Sequence, residues 1–212
     1  MVSEVQVYGG ARGKMAGVPH ISVASGDDIP TCAACTMKKI CYARRFQTIY
    51  PNPRRSYQKN GVKITSRVLD RKELPYVNGN ICRFNAFGEL YSGEKGKIQL
   101  TNYVNIAKKS PDTIFVLWSR NYRMVESFFK TNDKPENMKL IRSTADINTP
   151  VDVISPGWDG VFNVVTKEYA EQNDITINCG LKDENGDKIG CARCYTGCYR
   201  KNARVVCYEI KK

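Results

Sequence analysis

Apolar and polar positions along the chain switch repeatedly between the alternation of short strands and the three-and-four spacing of amphipathic helices. Short apolar or alternating runs predict strands at Glu4–Tyr8, Asn80–Phe87, Thr113–Trp118, Met138–Arg142, Gly160–Val165 and Ile175–Asn178, with Gly17–Val23 extended. Helical spacing predicts a helix after Cys41 through Phe46, broken by Pro51 and Pro53, and a second from about Ser56 to Leu69. Further helices follow at Ile98–Lys109, Tyr122–Lys130 and Thr166–Gln172. Cys179–Arg200 reads as a Gly- and Cys-rich loop, and Arg204–Ile210 as an edge strand.

Helices placed between strands are what the crossovers of a parallel sheet require. The expected fold is therefore α/β, a partial or small (β/α) barrel-like parallel sheet with a Cys-rich C-terminal extension. An open doubly wound sheet is the competing topology. The 212 residues suffice for one hydrophobic core. We divide them into an α/β core domain, 1–175, carrying an N-terminal Cys loop, and a Cys-rich metal-binding tail, 176–212, packed on the same domain.

A composition of 42% hydrophobic and 25% charged residues excludes a disordered or collagen-like chain. No apolar run approaches the roughly 20 residues that span a bilayer, and the opening MVSEVQVYGG lacks the layout of a signal peptide, so a cytoplasmic protein without a membrane partner is expected. In that reducing compartment nine cysteines, an odd number, argue against a disulfide framework and for metal.

The net charge of +12 is concentrated, since Met37–Glu73 carries eleven Lys and Arg against Asp70 and Glu73 alone. A basic face over residues 38–72 would attract phosphates, as nucleic acid or a nucleotide substrate, or would offset an anionic thiolate-held cluster. A solubilising surface is the plain alternative.

Two cysteine groups carry the candidate chemistry. Cys32 and Cys35 form a CxxC pair with Cys41 close behind, three thiols that either await a distant fourth ligand or leave one metal position open. Cys179, Cys191, Cys194 and Cys198 form the second group, able to fill all four positions of a cluster or of a zinc. A zinc knuckle is the competing reading there. His20, the only histidine, reads as a packed residue, and Cys82 and Cys207 read as inert strand thiols unless one completes the first site. The run Gly9–Gly17 is one residue short of nucleotide-binding P-loop spacing, with Met15 where a Ser or Thr would hold magnesium, and reads as a turn.

The run around Cys41, the strand RFNAFGEL, the stretch NIAKKSPDTIFVLWSRN and PENMKLIRSTADIN together resemble a phage family known as gene product 88, over most of the chain. More distantly the order of elements resembles radical S-adenosylmethionine enzymes, partial barrels whose three-cysteine loop after the first strand holds a [4Fe-4S] cluster. That resemblance implies Cys32, Cys35 and Cys41 as loop ligands, an open iron for S-adenosylmethionine, and a partner reductase. It also implies Gly88 and Glu89 as the contact to the methionyl amine. Ser119, Arg120 and Ser143 fall at strand ends, where barrel enzymes place cofactor and catalytic groups, and the late cysteines would hold an auxiliary cluster. The loop departs from the family in spacing, CxxC-x5-C in place of CxxxCxxC. The leading expectation is an iron–sulfur enzyme, with Glu89 and Arg120 as catalytic candidates and a small-molecule substrate. A zinc-stabilised nucleic-acid-binding protein without catalysis is the alternative.

Overall fold

The computed structural model describes residues 5–10, 15–144, 146–187, 189–194 and 196–210. Six strands, β1 (His20–Ile21), β2 (Ile81–Phe84), β3 (Ile114–Ser119), β4 (Met138–Ser143), β5 (Gly160–Val165) and β6 (Val205–Ile210), form one parallel sheet in the order of the sequence. Every pairing is parallel, and β1 and β6 remain the two open edges. Sequential order without reversal gives the partial-barrel form of the expected α/β fold rather than the doubly wound one.

The central strands read as continuous apolar runs, as in IFVLWS, because both faces are covered. Phe115 and Leu117 of β3, with Cys82 and Phe84 of β2 and Met138 and Leu140 of β4, bury one face. Helices α3 (Pro51–Ser66), α4 (Gly93–Lys109) and α5 (Tyr122–Phe129) cover it with Ile64, Leu100, Tyr103, Val125 and Phe128. The three-and-four spacing of Leu100, Tyr103, Val104 and Ala107 on α4 is what made that helix legible.

The opposite face carries Val116, Trp118, Ile141, Val205 and Cys207, and it is covered by the cysteine-rich segment through Cys179, Cys198, Tyr199 and Ala203. Lys139, on the same face of β4 and almost wholly buried, fastens that segment: its ammonium donates to the carbonyls of Gly197, Arg200 and Ala203 at 3.1, 2.7 and 2.7 Å. Three carbonyls of an irregular loop thereby gain one buried, charged donor.

Three expectations change. Glu4 lies outside the described residues, as do residues 11–14 of the Gly-rich turn, and Val5–Tyr8 makes a single antiparallel bridge, Tyr8 to His20, rather than a strand. The cause is Asn60 of α3, whose side chain bonds both the N–H and the carbonyl of Gln6 at 2.9 Å and takes the place of a ladder partner. Ile175–Asn178 is likewise no strand; the Asn178 side chain bonds the Val206 carbonyl and the Tyr208 N–H, and Cys179 alone bridges to Glu209. The prolines end no helix in mid-course: α2 (Tyr42–Ile49) stops before them, and Pro51 opens α3 at a first-turn position where no N–H is needed.

Candidate functional site

The segments that leave the C-terminal ends of β1 to β4 meet at one edge of the sheet. After β1 the chain enters the short helix α1 (Pro30–Ala33), a 3-10 turn (Thr36–Ile40) and then α2, and these carry Cys32, Cys35 and Cys41. The loop is tied down at several points. Arg44 donates to Asp27 at 2.6 Å and to the Cys32 carbonyl at 3.2 Å, the Tyr91 hydroxyl donates to Asp28 at 3.0 Å, and the Tyr42 hydroxyl donates to the Ala86 carbonyl.

After β2, Gly88 adopts φ +76° and lies so close to the chain beyond β1 that an added Cβ would stand 2.5 Å from the Val23 carbonyl oxygen, so only glycine fits. The carboxylate of Glu89 is buried and fully engaged. One oxygen accepts from the Ser119 hydroxyl at 2.7 Å and from the Leu90 N–H at 2.8 Å, and the other accepts from the Arg120 N–H at 2.8 Å. Burial pushes its pKa up, and those hydrogen bonds with the nearby Arg120 guanidinium oppose the rise. Glu89 thus couples the ends of β2 and β3.

Arg120 reaches across the same edge. Its Nε donates to the Thr144 carbonyl beyond β4 at 3.1 Å, its Nη1 lies 3.0 Å from the Cys35 sulfur, and its Nη2 lies 3.8 Å from the Met37 sulfur. One guanidinium therefore links the β3 and β4 ends to the cysteine loop, with the fork geometry that suits arginine to such a place. Ser119 also accepts from the Asn121 N–H, and Ser143 closes β4 in register with Phe162. Glu89, Ser119, Arg120 and the cysteine loop form one connected constellation.

The Cys32 thiol is pushed up to about 12, by burial first and then by the Glu89 carboxylate, with Cys41 adding further repulsion. All nine cysteines are free thiols. In the tail, the Cys198 and Cys207 sulfurs stand 3.3 Å apart. The Cys207 thiol is pushed up by that hydrogen bond, then by burial, then by repulsion from Cys198, Cys179 and Cys194, so four sulfurs share one neighbourhood. Cys191 is buried on a 3-10 turn (Cys191–Arg193), and the Tyr199 phenol, pushed up by burial first, is close enough to be raised further by Cys191. Cys82 faces the helix-covered core.

Among the described residues, no group of three or more His, Cys, Asp or Glu side chains is arranged to hold a metal ion. Reduced sulfurs nonetheless stand in two groups, and the first is met by a guanidinium able to offset thiolate charge. The structure places His20 away from this role. It is stacked on Tyr8 and hydrogen-bonded through Nδ1 to the Ser22 hydroxyl at 2.9 Å.

Two residues gain a place that the sequence reading did not give them: Cys207, read as an inert strand thiol unless it completed the first site, lies beside Cys198, and Lys139, on which the sequence reading was silent, fastens the tail, although a lone lysine between Met138 and Leu140 in an apolar run was a visible signal. No helix is long and apolar enough to cross a membrane among the described residues. Comparison with curated proteins and with solved structures finds no match. The sequence profile of a family described as Gene product 88 matches residues 9–208. With nearly the whole chain inside that match, the protein belongs to the Gene product 88 family.

Proposed function

We propose that the protein is an iron–sulfur protein of the radical S-adenosylmethionine-like kind. In this reading Cys32, Cys35 and Cys41 hold one [4Fe-4S] cluster and Cys179, Cys191, Cys194 and Cys198 supply a second, with Cys207 as an added thiol beside them. The observation that carries it is positional. A three-cysteine loop directly follows the first strand of a sequentially ordered parallel sheet and stands at the C-terminal strand ends, with Arg120 3.0 Å from the Cys35 sulfur. Barrel-type α/β enzymes place their chemistry at that edge.

A cluster held there would supply one-electron chemistry and an iron open to the amino and carboxylate groups of a chelating cofactor. The protein's own groups have separable tasks. Arg120 offsets thiolate charge and pins the loop to β3 and β4, while Glu89 fixes the spacing of the β2 and β3 ends. Because the Glu89 oxygens already accept three hydrogen bonds, Glu89 serves this reading as a positioning residue, and Arg120 is the better candidate to meet a substrate carboxylate or phosphate.

The test is anaerobic purification with measurement of iron, acid-labile sulfide and zinc. Iron and sulfide in equal amounts, a brown chromophore, and loss of part of the iron in Cys32→Ala are expected. A colourless protein with stoichiometric zinc overturns the reading. With iron present, a change in the EPR spectrum of the reduced protein on adding S-adenosylmethionine supports the radical form, and an unchanged spectrum rejects it.

A further inference from the structure

Away from the cysteines, α3 presents a basic groove. Between Asp28 and Asp70 the sequence has no carboxylate side chain at all. Within that stretch Arg55, Lys59 and Lys63 recur at every fourth residue, which puts them in one stripe along α3 with a rise of about 6 Å between neighbours, and Arg67 follows at the extended residue that caps the helix. They line a groove of about 610 Å³ together with Val62 and Glu73.

The four cations are not equivalent. Arg67 is neutralised by Glu73 through a two-pronged pair at 2.7 and 2.8 Å, and Glu73 also accepts from the Asp70 N–H. The Glu73 carboxylate is therefore held well below its usual range, at about 2, by Arg67 first, with Lys63 adding a smaller pull. Lys63 is close enough to feel Glu73, yet its ammonium is buried and makes no hydrogen bond among the described residues. Arg55 and Lys59 are exposed. The groove keeps a surplus of positive charge and one desolvated donor in want of an acceptor.

We propose that this groove binds the sugar–phosphate backbone of a nucleic-acid strand, with Arg55, Lys59 and Lys63 each meeting a phosphate. The linear spread of cations over two helical turns suits an extended polyanion rather than a single phosphate group. The sole exposed large apolar side chain in the groove is Val62, too little to insert into a bilayer.

The experiment is fluorescence anisotropy of labelled single- and double-stranded oligonucleotides with the full chain, titrated at several salt concentrations. Replacing Arg55, Lys59 and Lys63 by Gln should weaken binding at least about tenfold and lower the log–log salt slope by about 2 for single strands, since each lost phosphate contact removes about 0.7. A matched triple replacement of exposed Lys130, Lys167 and Lys182 by Gln should leave the slope within one contact of the wild type. Circular dichroism checks that each variant folds, and Lys59→Glu alone, at an exposed position, should still weaken binding. Equal loss in both triples would reduce the groove to diffuse charge and overturn the proposal. So would displacement of the oligonucleotide by millimolar inorganic phosphate, or binding to phosphatidylserine vesicles in preference to nucleic acid. None of these readouts depends on iron.

Discussion

Acidification from pH 7 to pH 5 should destabilise the protein by about 2 kcal/mol through His20 alone. Its imidazole is buried on β1, stacked on Tyr8, edge-on to Tyr57 and close to Phe87, with Nδ1 paired to Ser22. Burial first and the Arg83 guanidinium second lower its pKa from 6.5 to about 4. Between those two values the unfolded chain binds more protons than the folded one, so stability rises with pH. The penalty is absent above pH 6.5, grows as pH falls, and levels off below about 4. Linkage over that interval gives about 2 kcal/mol at pH 5 and a limit of about 3 kcal/mol. There is no second histidine, and the raised Glu89 carboxyl acts on stability in the opposite sense, so the difference between wild type and a His20 variant isolates the effect.

Urea unfolding followed by far-UV circular dichroism at pH 5, 6 and 7 measures it, with His20→Asn as the comparison. The variant can be less stable at every pH; what matters is that its pH slope flattens. A wild-type slope that persists in the variant, or a folded-state imidazole proton resonance titrating near pH 6.5, would refute the reasoning.

Other consequences can be checked as directly. Lys139→Met removes the charged donor of three tail carbonyls, should cost about 3 kcal/mol or more, and should raise hydrogen exchange across residues 197–207 before the helices respond. Gly88→Ala forces a left-handed residue against the Val23 carbonyl and should destabilise by about 1 to 3 kcal/mol in thermal melts; an unchanged melting temperature would refute that close approach. In metal-free protein, diamide should join Cys198 and Cys207 first, detected as a single disulfide-linked peptide in mass spectrometry. Pairing of Cys32 with Cys35 ahead of it would contradict the tail geometry.

Strands β2 to β6 and the helices on one face of the sheet were legible because burial writes itself into runs and periods. IFVLWS, for example, reads as a strand in any context that covers both sides. What stayed hidden were substitutions of side chain for backbone. Asn60 and Asn178 each supply an amide that mimics a neighbouring strand, and no period announces this. The candidate site divides in the same way. Local spacing exposed Cys32, Cys35 and Cys41, position at strand ends exposed Ser119 and Arg120, and a resemblance pointed to Glu89. The convergence of Arg120 on Cys35, 85 residues away, and of Cys207 on Cys198 depends on which strands lie side by side.

A sheet whose spatial order equals its sequence order can be assembled in the direction of synthesis. Each new strand docks on the one just made, at the small loop-closure cost of adjacent segments. The helix-covered face can mature during translation in this way. The opposite face cannot, because its cover consists of Cys179, Cys198, Tyr199 and Ala203, which follow β1 to β5 out of the ribosome. A nascent chain therefore passes through a stage with Trp118, Ile141 and Val116 in water, and that interval is when a chaperone would find an apolar face to bind.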